Sequence, residues 1–221
     1  MARDAVDRRS SRPLLTLGRV DLVRIQVGYR ARPDGPVHQQ FLLDLPVPEP
    51  GVSGGPVEEA RVLTALEPVL HPGDGAPRHY SLHSHRSHTS WGASPGALEV
   101  GLYVTVGSAT VAAADVWVEG ATRSFRDLME LAGRPESTTT SREAALKRAQ
   151  DSVAAAYGLD PDTLSPSTEE HHAAENSWTL ALRAGGGERY DVEVGLVDGY
   201  AGSVRVRHLG RIEVSDSVGS E

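Results

Sequence analysis

The sequence contains no cysteine, which excludes disulfides, thiolate nucleophiles and cysteine-ligated metals. It is also poor in lysine, because Lys147 is the only lysine among 22 basic residues. The formal net charge is −8 and no basic stripe offsets it, which argues against binding to nucleic acid phosphates. Long apolar runs are lacking too. The uncharged stretch between Glu99 and Asp115 has 15 residues, whereas a membrane-spanning helix needs about 20.

What is present describes a globular chain. Its 221 residues are 39% hydrophobic and 24% charged, enough for one domain or two small ones. The preference for arginine, with abundant Ala, Gly, Val and Pro, suggests a GC-rich bacterial genome. Residues 1–13 are polar and lack the apolar region of a signal peptide, so we expect a cytoplasmic protein.

Residues 16–134 are expected to form an N-terminal α+β unit, preceded by a disordered tail at 1–15. Alternating apolar residues in 20–29 and 41–45 predict two strands of a β-hairpin. The Pro/Gly-containing turn between the strands supports this pairing. Helical spacing of apolar residues predicts a helix over 57–70.

The segment that follows is rich in small apolar residues. Residues 98–106 alternate as in a strand, whereas 108–131 have a 3.6-residue apolar period that predicts a helix. Whether the helix begins near Ala97 or near Ser108 is open. We expect this small-residue apolar helix to pack against a protein partner or a second copy of the chain.

Residues 138–214 are expected to form a C-terminal domain of one helix and an antiparallel meander, followed by a tail at 215–221. Thr140 and Glu143 have the spacing of a capping box, which predicts a helix that ends at Gly158. The polar stretch after it reads as a long loop. Four strands are then predicted, at 178–182, 190–196, 204–206 and 212–214.

The pairing register of the last hairpin can also be predicted. A two-residue turn at Asp198-Gly199 would place Val192 opposite Arg205, a core residue against a solvent residue. A loop of three or more residues, or a bulge near 199–202, removes the conflict. The register with this longer loop or bulge predicts the pairs Val194–Val204, Val192–Val206, Tyr190–His208, Glu193–Arg205 and Asp191–Arg207.

A histidine-dense strip supplies the main candidate site. His83-x-His85-x-x-His88, followed by Gly92, resembles the metal motif of the metallo-β-lactamase superfamily. The resemblance implies a metal-dependent hydrolase with His83, His85 and His88 as ligands. Ser87 stands where that family has an aspartate. The alternative is a polar segment whose histidines are solvated, and on that interpretation we expect no catalytic residues, no metal and no cofactor.

The sequence Trp91-Gly92-Ala93 and the apolar segment after it suggest a different class. Residues 85–131 resemble uncharacterised actinobacterial accessory proteins encoded near protease or NTPase effectors. The resemblance implies a non-enzymatic interaction protein that binds a protein partner or forms a homo-oligomer. Two alternatives stay open: the hydrolase, and a membrane-surface protein that uses residues 97–118.

Overall fold

The computed structural model describes residues 20–47, 57–71, 78–87, 96–108, 115–133 and 139–211. Three helices lie in this part of the chain: α1 (Glu59–Leu70), α2 (Asp115–Leu131) and α3 (Arg142–Tyr157), with a 3₁₀ turn at Pro161–Thr163. The strands are β1 (Val20–Arg30), β2 (Val37–Pro46), β3 (His79–Ser87), β4 (Gly96–Thr105), β5 (Ser165–His172), β6 (Ser177–Arg183), β7 (Glu188–Val194) and β8 (Ser203–Arg211).

All eight strands form one sheet, in the order β3-β4-β1-β2-β8-β7-β6-β5. β1 and β4 are parallel and every other neighbouring pair is antiparallel. The expected α+β class is correct, and the sheet dominates it. The strands of the two units predicted from the sequence share this sheet, because β2 pairs with β8 from Gln39–Arg207 to Leu43–Ser203.

The helices cover opposite faces of the sheet. Successive residues of a strand point to opposite faces, and in β2 they therefore enter two different cores. Phe41 and Leu43 are part of the core under α1 and α2, whereas Leu42 between them belongs to the core under α3. Each half of the sheet therefore has one face covered by a described helix and one face that none of the described helices covers.

The first core settles the open question about the small-residue segment. Residues 96–105 are the strand β4, with Leu98 and the alternate residues after it buried. Helix α2 buries Trp117, Ala121, Phe125 and Leu128, which share one side of the helix. The apolar face of α2 is thus packed against the core of its own chain, and the partner surface expected on residues 108–131 stays a prediction.

The second core forms where α3 packs on β6, β7 and β8. Ala145, Ala149 and Val153 are fully buried, and the short alanine side chains let the helix approach the sheet closely. The predicted cap at Thr140 is wrong by one residue. Ser141 has the extended backbone of an N-cap, and its hydroxyl accepts from the Ala144 amide at 3.2 Å. Gly158 ends the helix with φ 67°, as predicted.

The predicted loop after α3 is also wrong in part. Residues 165–172 form β5, which pairs with β6 at the edge of the sheet. Its residues are polar and mostly exposed on both faces, so it has no alternation to reveal it in the sequence. β8 extends to Arg211, and the predicted strand at 212–214 lies outside the described residues, as do both predicted tails.

The register predicted for the last hairpin is confirmed. The structure pairs Val194 with Val204 and Val192 with Val206, and it pairs the three other residue couples as predicted. Asp198 and Gly199 do turn with positive φ, but inside a longer loop between Val194 and Ser203. The loop is long because alternation of the core residues determines the register, and the turn adapts to it.

Candidate functional site

The histidine strip lies on β3, the strand at one edge of the sheet. His79, His83 and His85 share one face of that strand, and all three side chains are exposed. His88 lies outside the described residues. Within the described ranges, no group of three His, Asp or Glu side chains could hold a metal ion. His83 and His85 lie two residues apart on one face of β3, and the metal site with His88 stays an alternative hypothesis.

An aromatic side chain on the neighbouring strand β4 lies beside the histidines. The ring centroids of His83 and Tyr103 are 6.3 Å apart. The guanidinium carbon of Arg30 lies 4.4 Å from the Tyr103 centroid, and the Tyr103 hydroxyl donates to Oε1 of Gln26 at 3.3 Å. A Cβ at Gly28 would lie 2.5 Å from Cδ1 of Tyr103. Glycine there is what lets this ring lie flat on β1.

The two edges of the sheet differ in their protection against further strand pairing. Edge strands are normally blocked by proline, bulges or charges. β5 has all three: Pro166, a register irregularity between Pro166 and Thr168, and the carboxylates of Glu169 and Glu170. β3 has no proline and no acidic residue, and it pairs with β4 without a shift from His79 to Ser87. Its one charged residue is Arg86, and among the described residues β3 is therefore the less protected of the two edges.

The other face of β3 is apolar at its centre. Tyr80 and Leu82 are 46% and 42% exposed, and Leu209 is the one further large hydrophobic residue exposed in the described ranges. Tyr80 and Leu82 lie on the face of β3 opposite the histidines, because alternate residues of a strand point to opposite faces. Arg86 on that same face lies 3.5 Å from the Glu59 carboxylate, which links β3 to α1.

A cleft forms a second candidate site, at the end of the sheet where the β1–β2 turn meets the last residues of β8. We name it the β8 cleft; its volume is about 830 Å³. Its lining includes Arg32, Asp34, His38, Gln39, Arg207 and His208. The register of β2 with β8 places Gln39 opposite Arg207, and therefore brings His38 close to His208.

His208 is held in place by two tyrosine rings. It stacks on Tyr190 with centroids 5.1 Å apart, and the Tyr157 ring centroid is 5.4 Å away. Burial lowers the pKa of His208; Glu188 opposes this shift and His38 adds to it. The lowered pKa favours the neutral imidazole, in which one nitrogen donates and one accepts.

Sequence reasoning found the histidines of β3 but missed the β8 cleft. Predicting the β7–β8 register correctly put Arg207 and His208 on opposite faces of one strand. Bringing Gln39 and His38 to them requires the β2–β8 pairing, which joins residues more than 160 positions apart and leaves no local pattern. No helix among the described residues is long and apolar enough to cross a bilayer.

No protein-family model, curated protein or solved structure matches this chain. The fold defines it as an α+β protein with a mixed eight-stranded sheet, and any function has to be argued from its own surfaces.

Proposed function

We propose that the chain is a non-enzymatic interaction protein that binds an extended segment of a protein partner along β3. The observation that carries the proposal is the contrast between the sheet edges: β5 has Pro166, a register irregularity and two glutamates, whereas β3 pairs regularly and has neither proline nor a carboxylate. A partner strand adds to such an edge through backbone hydrogen bonds, and pockets for alternate side chains give specificity.

The side chains of β3 define the chemistry of the partner. One face offers Tyr80 and Leu82, which are exposed and suit apolar residues. The opposite face offers His79, His83 and His85, and β3 has no acidic residue. Although the whole chain is negative, this strand is locally neutral to positive. The best partner strand therefore alternates apolar residues with acidic ones.

Backbone pairing supplies much of the binding free energy. Each hydrogen bond added at the edge contributes about 0.5–1.5 kcal/mol net. Because β3 is already ordered by its pairing with β4, only the partner segment loses conformational entropy on binding. Contacts with Tyr80 and Leu82 then select the register.

The proposal is tested with nine-residue peptides in which apolar residues alternate with glutamate, and with scrambled peptides of the same composition. Fluorescence polarisation with the full chain should show saturable binding of the alternating peptides alone. Leu82→Lys places a charge on the edge and should weaken binding about tenfold or more. Thr168→Lys, an exposed position on β5, is the matched control and should bind as the parent protein does.

Two outcomes would contradict the proposal. Equal binding of alternating and scrambled peptides would show that strand pairing does not carry recognition. Light scattering provides the second test: a dimer that Leu82→Lys dissociates would show that a second copy, not a separate partner, occupies β3.

A further inference from the structure

The β8 cleft has a feature that the proposed strand addition does not use. Two of its lining residues, paired on the same face of the sheet, contain a buried nitrogen without a hydrogen-bond partner among the described residues: Nε2 of Gln39 and Nε of Arg207. Gln39 itself is only 3% exposed. Buried polar groups without a partner cost free energy, and two neighbouring ones at one concavity point to a missing ligand.

The unpaired groups are mainly donors. Arg207 and Gln39 can only donate through these nitrogens. Arg32 adds a second guanidinium to the lining, while Asp34 is the one carboxylate in it. A ligand that satisfies this set must present several acceptor oxygens close together, which is the chemistry of a carboxylate or phosphate group.

The remaining lining suits an organic body attached to that group. Leu209, 45% exposed, and Pro36 give the cleft apolar wall, and its volume falls within the range of about 300–1,000 Å³ typical of small-molecule sites. The floor is firm, because His208 stacks on Tyr190 and packs beside Tyr157. A site with a rigid floor requires little reorganisation when a ligand binds.

We propose that the β8 cleft binds a small organic oxyanion, with Arg207 and Gln39 donating to its charged group and Leu209 contacting its apolar part. Because both nitrogens are buried, binding requires the two donor side chains to turn towards the ligand. The cleft shares no residue with β3, so ligand binding in the cleft and strand addition on β3 can be tested independently.

The test is a titration of the isotopically labelled full chain with phenyl phosphate, benzoate and inorganic phosphate, followed by NMR. Saturable shifts at Leu209 and Ser108 with phenyl phosphate or benzoate are expected, and the stronger of the two identifies the charged group. Inorganic phosphate should bind more weakly because it lacks the apolar part. Loss of a charged hydrogen bond in Arg207→Gln should weaken binding about tenfold or more.

Arg189→Gln is the matched control. Arg189 also has an unpaired buried Nε but does not line the cleft, so its variant should bind as the parent protein does. If Arg207→Gln fails to fold, Leu209→Glu replaces it, since this exposed residue tolerates a charge that repels an anion. Absence of saturable binding for all three probes, or binding that neither cleft variant weakens, would overturn the proposal.

Discussion

Arg148 on α3 donates to Oδ2 of Asp44 on β2 at 2.5 Å, and so ties the second helical layer to a strand of the first half of the sheet. The same carboxylate accepts from Nε of Arg24 on β1 at 2.9 Å. The Tyr200 hydroxyl donates to the Asp44 carbonyl oxygen at 2.6 Å. Asp44 is 14% exposed, so these contacts lie largely out of solvent at the joint between β2 and β8.

We expect Asp44→Asn to destabilise the protein. The substitution keeps the shape but removes the charge that two guanidinium groups share, and hydrogen bonds to charged groups contribute about 1.5–3 kcal/mol. Urea unfolding at pH 7 measures the loss. The control is Asp151→Asn on the exposed face of α3, where the pair with Lys147 is solvated and its loss should cost no more than about 0.5 kcal/mol. Equal effects of the two variants would contradict the assignment.

The contribution of Asp44 should depend on pH. Burial raises the pKa of Asp44, but the hydrogen bond from Arg24 and the charge of Arg148 outweigh it, so the pKa in the folded protein is lowered. The unfolded chain then binds the proton more tightly. Stability from Asp44 is fully present above its unfolded pKa of about 3.9 and is lost as the pH falls through the folded value. The stability difference between parent and Asp44→Asn should be constant from pH 5 to 7 and shrink below about pH 4. A difference that grows on acidification would refute this.

Gly28→Ala should displace the Tyr103 ring. The new Cβ would lie 2.5 Å from Cδ1 of Tyr103, which no real contact allows, and overpacking of this kind costs about 1–3 kcal/mol. Thermal unfolding measures the loss, and Tyr103 fluorescence should change with it. Gly120→Ala on α2 meets nothing within 4 Å and should instead stabilise the protein by about 0.5–1 kcal/mol. Equal stability of Gly28→Ala and the parent would contradict the close approach.

The histidine strip is expected to be free of metal in the purified protein. His83 and His85 are exposed on β3, and the position where the metallo-β-lactamase pattern has an aspartate is Ser87. Elemental analysis after purification without chelators should give well under one zinc per chain. A tetrahedral zinc on His83, His85 and His88, at about 2.0–2.1 Å from each ring nitrogen, would favour the hydrolase hypothesis.

Local patterns predicted the parts of the fold that alternate or repeat. Val192 and Val194 alternate with charged residues, as do Val204 and Val206, and this was enough to give their pairing. β5 escaped prediction because an edge strand that faces solvent on both sides needs no apolar residues. The parallel pairing of β1 with β4 also escaped, since it depends on the path of the chain through α1 and not on either strand alone.

The candidate site, too, could be predicted from the sequence only in part. His83 and His85 stand out in the sequence because histidine is dense there, but their place on an edge strand follows from the strand order. The alternation of residues 98–106 indicated the strand β4, but the start of the following helix stayed open because the small residues there also suit a close-packed helix.

Strand addition on β3 is tested most directly by amide hydrogen exchange of the full chain with and without the alternating peptide. The account predicts slower exchange at alternate residues between His79 and Ser87, no change on β5, and loss of the effect in Leu82→Lys. Unchanged exchange on β3 at a saturating peptide concentration, or equal protection in Leu82→Lys, would contradict it.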